Sequence, residues 1–173
     1  FSVTVLRASS SILVNVGIVR QLPFRKIIFP LISLATCSME FVFSLALLFG
    51  FLFYWGYFVT IYWLAFPVLL AVEMLLILGL ALPLSAVVPF VPDIQKLADY
   101  LMRIAFYLSA VLYAVSFLPL PAQQYIKFNP VITVVEGFRD ILMYERWPDW
   151  GSLAVVAAAS AASAAVGTYL LFR

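Results

Sequence analysis

Histidine is absent from this 173-residue chain. That removes the usual general base near neutral pH and the commonest metal ligand. Cysteine occurs once, at Cys37 within an apolar run, which excludes an internal disulfide framework and a thiolate metal site. Charge is scarce: Asp, Glu, Lys and Arg make up 10% of the residues, with a net charge of +2. A soluble domain carries about a quarter, and so small a surplus implies no nucleic-acid partner. There is no phosphate-cradling glycine-rich loop, no Walker motif and no nucleophile elbow. No catalytic, metal or cofactor-binding residues are therefore assigned, and the chain is read as a non-enzyme. If ATP is consumed, another chain hydrolyses it.

What is present is apolar. Hydrophobic residues make up 66%, and the mean hydropathy is +1.13. These values describe an integral membrane protein. The fold class expected is all-α, a polytopic transmembrane helix bundle.

Spans are expected at about 27–54, 64–88, 97–117 and 151–172, each long enough to cross a hydrocarbon core of ~30 Å. Pro30 falls in the first turn of its helix, where a missing N–H costs little. Pro67 and Pro83 lie near the two ends of the second span, where kinks are expected. Asp99 and Arg103 are i,i+4 partners early in the third. The last span is dense in Ala, Ser and Gly, which let neighbouring backbones approach closely. Tyr54, Trp55, Tyr57, Tyr62 and Trp63 form one aromatic belt; Tyr144, Trp147 and Trp150 form another.

Segment 1–26 carries Arg7, Arg20, Arg25 and Lys26 and no acid. Short Lys/Arg-rich segments stay on the cytoplasmic side, so 1–26 is assigned there and 27–173 to the membrane. Ser9, Ser10 and Ser11 can cap a short helix through Ile12 and Val16. With four spans, both ends of the fragment face the cytoplasm, and positive charge is then in excess on that side. The chain starts at Phe1 with no signal-peptide pattern, and further residues are expected upstream.

The region 118–150 is too short and too charged to span. Asn129-Pro130 is a turn. After it Val131, Val134, Val135, Phe138, Ile141 and Leu142 form one apolar stripe at helical spacing, with Glu136, Arg139 and Asp140 off it. About four turns fall well short of the bilayer core. The helix should lie at the interface or re-enter the membrane against protein. Glu136 and Arg139, at i,i+3, can pair across one turn or guide a substrate at the exit.

Glu40 and Glu73 fall inside spans. An ionisable group there costs at least ~2.5 kcal/mol on insertion scales, so each should face water, a partner or the bundle interior. One reading is a polar substrate path, and the other is a structural pair or a packed neutral acid.

The order of these features resembles the permease subunit of type-2 ABC exporters, in the branch that exports capsular polysaccharide, O-antigen or teichoic acid. Three stretches carry the likeness: Ser10 to Leu31, Phe90 to Tyr113, and Phe117 to Met143 with Asn129-Pro130, Glu136 and Arg139. The resemblance implies a cytoplasmic coupling helix containing Asn15, Arg20, Pro23 and Arg25. It implies two short re-entrant helices between about 121 and 143 as an outer gate. It also implies a homodimer of permeases, two copies of a separate ATPase, a lipid-linked glycan as substrate, and the inner membrane as location. An interfacial helix and two spans would precede Phe1. A drug or small-lipid exporter of the same superfamily is the alternative. An intramembrane enzyme using Glu40 and Glu73, or a structural membrane subunit, stands further off.

Overall fold

A computed structural model describes residues 1–15, 17, 27–56, 60–108 and 129–172. No strand occurs among them. Among the described residues six α-helices follow one another: α1 (Ser2–Val14), α2 (Ile28–Tyr54), α3 (Phe66–Val87), α4 (Asp93–Leu108), α5 (Pro130–Leu142) and α6 (Trp150–Phe172). A 3-10 turn, Ile61–Ala65, leads into α3. Three stretches among the described residues are long and apolar enough to cross a membrane: Ile28–Tyr54, Ile61–Val87 and Trp150–Phe172. They match three of the four expected spans to within a few residues. The fourth, 97–117, begins on α4, and its second half lies outside the described residues.

The core is the α3–α6 pair. Gly79 and Gly167 make it possible. A Cβ built on Gly79 would sit 2.7 Å from the Ser160 carbonyl oxygen, and one on Gly167 only 2.5 Å from the Pro83 nitrogen. No L side chain fits there, so the two backbones nearly touch. The Ser163 hydroxyl donates across the gap to the Gly79 carbonyl at 2.6 Å. Pro83 itself has no N–H to donate, and its ring faces the bare Gly167 backbone. The small residues expected to draw helices together thus do so, against α3 in particular.

Helix α1 runs antiparallel to α2. Ile12 sits in a cluster with Leu82 and Leu171, with Ile27 and Phe29 packed against it, while Arg7 reaches Glu40 further along α2. The sequence reads 1–26 as one basic cytoplasmic segment, but the structure divides it. Ser2–Val14 is a helix packed against the candidate spans, with Val5, Ala8 and Ser9 fully buried. Residue 16 and residues 18–26 lie outside the described part. The charge of Arg7 is answered by Glu40.

Helix α2 lies on the outside. Its buried residues are Pro30 and Cys37. Met39, Phe43, Leu47 and Phe51 are exposed, a surface suited to acyl chains or another membrane helix.

The two aromatic belts meet at one end of the bundle. Phe49 stacks on Trp63 with ring centroids 5.3 Å apart. Phe66 meets Phe138 edge-on at 5.5 Å, and Tyr62 meets Trp147 at 5.3 Å. The Ile12–Leu82–Leu171 cluster marks the opposite end.

Candidate functional site

At the aromatic end, α5 starts as its sequence dictates. Asn129 is extended and caps the helix, its Oδ1 accepting from the Val131 N–H at 3.0 Å. Pro130 follows at the first helical position, where its fixed φ suits the turn. The helix is 13 residues long, about 20 Å at 1.5 Å per residue, and cannot span. None of its residues is exposed. Gly137 lets it close on α3: a Cβ there would lie 2.8 Å from the Leu69 side chain.

The buried face is wider than the apolar stripe. It includes Ile132 and Asp140, neither of which belongs to that stripe. Asp140 is 8% exposed, and such a carboxylate needs a partner. Glu145 adopts a φ of 48°, turning the chain so that Arg146 faces back. Arg146 Nε donates to Asp140 Oδ1 at 2.7 Å, and Nη2 lies 2.6 Å from the same oxygen. The Arg146 N–H also donates to the Asp140 carbonyl at 3.0 Å. Hydrogen bonding to Asp140, then its charge, raises the Arg146 pKa above the usual guanidinium range. This clasp closes the end of α5. Asp149 then starts α6, its Oδ1 accepting from the Gly151 N–H at 3.0 Å.

The polar residues of the middle are gathered from four helices. Arg7 Nη1 donates to Glu40 Oε1 at 2.7 Å and to Oε2 at 2.9 Å. Cys37 Sγ, one turn earlier on α2, lies 3.8 Å from the same nitrogen. Gln95 ties α4 to α1: it accepts from the Ser9 hydroxyl at 3.0 Å and donates to the Leu6 carbonyl at 3.1 Å. On α4, Arg103 pairs with Asp99 at 3.1 Å, the expected i,i+4 pair, and Lys96 with Asp93 at 3.0 Å.

Glu73 opens into a cavity of about 670 Å³ together with Asp99 and Arg103; Leu76, Met102 and Phe138 supply apolar wall. That volume suits a drug-sized molecule. A second groove, of about 390 Å³, is lined by Arg7, Ser10, Gln95, Lys96, Asp99 and Tyr100. Asp99 lines both. The Ser38 hydroxyl on α2 lies 3.6 Å from Met74 Sδ on α3, which sets Glu40 and Glu73 at similar heights. They do not pair: Glu40 is engaged by Arg7, and Glu73 opens on the larger cavity.

Among the residues assigned to coupling, Asn15 ends α1, its Nδ2 donating to the Ser11 carbonyl at 2.8 Å. Arg20, Pro23 and Arg25 lie outside the described residues, as does the first expected re-entrant helix. Arg7, Asp140 and Arg146 were not singled out from sequence as site residues. Their partners are distant in the chain or across an irregular turn, and no short-range spacing signals them.

No family model matches the chain. It is similar to two curated proteins of Klebsiella pneumoniae, each named "O-antigen export system permease protein RfbA". In both cases the identity is 22% over 134 residues, 77% of this chain and 52% of the relative. The chain thus spans about half the length of the curated relatives it matches. These likenesses and the apolar helices fit a fragment of a type-2 ABC permease.

Proposed function

We propose that the chain is a membrane portion of the permease of an ATP-driven exporter. Its cargo would be a lipid-linked polysaccharide of the O-antigen, capsule or teichoic acid type, carried across the cytoplasmic membrane. The observation that carries this is the likeness to O-antigen export permeases over 77% of the chain. It agrees with the type and order of the helices.

The chemistry is transport, and a separate ATPase supplies the energy. The connection 15–27, with Asn15, Arg20, Pro23 and Arg25, faces two copies of that ATPase. It joins α1 to α2, and the Arg7–Glu40 pair ties those two helices together. A push on the connection is then delivered as a tilt of the hairpin. Two permease copies enclose the path, with Glu40 and Glu73 on its polar side. On the outer side α5, with Asn129, Pro130, Glu136 and Arg139, covers the exit without crossing the membrane. The Asp140–Arg146 clasp holds it. The α1–α2 connection and the end of α6 face the cytoplasm, while α1 rises from there with Phe1 packed toward the aromatic end.

The largely apolar cavity beside Glu73 favours a second reading, a drug or small-lipid exporter. Deleting the gene separates the two. Export of a polymer predicts lipid-linked glycan accumulating inside the cell, restored to the surface by the intact gene. Unchanged surface glycan with altered sensitivity to amphiphilic drugs would overturn it in favour of the second. An enzyme built on Glu40 and Glu73 is disfavoured because the two acids do not share a site.

A further inference from the structure

Pro83 leaves a break in α3 that the helix's own ladder does not close. An N–H at position 83 would donate to the Gly79 carbonyl, four residues earlier, and proline has none. Gly79 is buried, so that carbonyl needs another donor. It has one on α6, the Ser163 hydroxyl, at 2.6 Å. Hydroxyl side chains are one of the means by which membrane helices satisfy backbone groups freed by proline.

Ser163 does not follow its neighbours on α6. Ser160 and Thr168 donate to carbonyls four residues back in their own helix, Val156 at 2.7 Å and Ala164 at 2.8 Å. Such back-bonding is open to any helical serine, so the Ala159 carbonyl is the alternative acceptor for Ser163. The hydroxyl therefore has one acceptor on each helix, and α3 is closed only while it takes the one on α3. Just past the break, the fully buried Ser85 hydroxyl donates to the Leu82 carbonyl at 2.8 Å. The two parts of α3 also belong to different clusters. Leu69 and Leu76, above the break, pack with Val134 and Ile141 of α5. Leu82, within it, packs with Ile12 of α1 and Leu171 of α6.

We propose that residues 79–83 form a hinge in α3 and that Ser163 is its latch. With the hydroxyl on Gly79, residues 66–78 are held in line with the rest of the helix. When it turns to Ala159, the Gly79 carbonyl loses its donor and the upper part bends about the proline. A hinge of this kind concentrates the change in a few residues while the packed segments on either side move as units. Helix α5 moves with the upper part, because Gly137 seats it on the Leu69 side chain. The hinge stands without the export reading; that its swing shifts α5 over an exit rests on that reading.

The test is double electron–electron resonance on the full-length protein in lipid nanodiscs, in a Cys37→Ala background and diluted with unlabelled protein. Spin labels on Val68→Cys and Val87→Cys bracket the break, about 28 Å apart along a straight helix. The parent should show one dominant distance. Ser163→Ala should raise the population of a second, shorter distance about fivefold, the equilibrium effect of losing one hydrogen bond. Adding Pro83→Ala supplies the missing N–H and should return the single distance, a rescue that lost packing at Ser163 would not show. An unchanged distribution in Ser163→Ala overturns the latch. A second distance that persists after Pro83→Ala is added overturns the hinge. If Ser163→Ala alone does not accumulate, the double variant decides: accumulation with a single distance supports the proposal, and failure to accumulate overturns it. The gene-deletion experiment reads export independently, so either reading can fail without the other.

Discussion

Replacing Gly167 with alanine adds one methyl group where α6 meets α3. The new Cβ would sit 2.5 Å from the Pro83 nitrogen and 2.7 Å from the Leu82 carbonyl carbon. Both neighbours are backbone, so no rotamer change relieves the clash. Ordinary contact begins at 3.4 Å, and the helices must part by about 0.9 Å. That motion also stretches the 2.6 Å Ser163–Gly79 hydrogen bond in the same interface. Overpacking of this kind costs about 1–3 kcal/mol, against a gain of up to ~1 kcal/mol for Ala over Gly in a helix. The expected net effect is a loss of about 1–2 kcal/mol. Gly50 provides the control, because a Cβ on it meets nothing within 4 Å. Gly50→Ala should therefore be neutral or slightly stabilising. The assay is unfolding of the purified protein in mixed micelles, titrated with SDS and followed by tryptophan fluorescence. If Gly167→Ala proves as stable as Gly50→Ala, the α3–α6 contact is not the close backbone packing described.

Removing the α5 cap by Asn129→Ala should cost about 0.5–2 kcal/mol, whereas Asn129→Asp should cost little; the same unfolding assay reads both. Arg146→Met should lower stability by stranding the buried Asp140 carboxylate, and adding Asp140→Leu should recover most of the loss, because the charge left behind does the harm. Arg7→Glu should reduce the folded protein in the membrane several-fold, and Arg7→Glu combined with Glu40→Arg should restore it. A double variant no better than the single would show that the two side chains do not meet.

The spans were legible because an apolar run of more than twenty residues has few alternatives. Ile28–Tyr54 and Trp150–Phe172 fall within one residue of the expected bounds. The start of α5 was legible for a local reason: Asn before Pro is both a cap and a helix start. The side-chain constellation was less so. Arg7 looked like one of four cytoplasmic cations, because nothing local reveals a partner 33 residues away. Asp140 looked like a solvent-facing residue off the stripe. Its burial depends on a left-handed turn at Glu145 that returns Arg146 to it, and such a turn has no reliable sequence signal in a non-glycine residue. The small residues of α6 announced close packing, but not that α3 would be the partner.

Sidedness decides the central claim most directly, since an exporter gate must lie opposite the motor. Single cysteines at Ile61, Lys96 and Glu145, all exposed, can be labelled in a Cys37→Ser background with an impermeant maleimide. The expected result is that Ile61→Cys and Glu145→Cys react in intact cells once the outer barrier is opened. Lys96→Cys should react only after the cytoplasmic membrane is breached. Labelling of Glu145→Cys from the cytosol alone, or of Lys96→Cys and Glu145→Cys from the same side, would contradict the account.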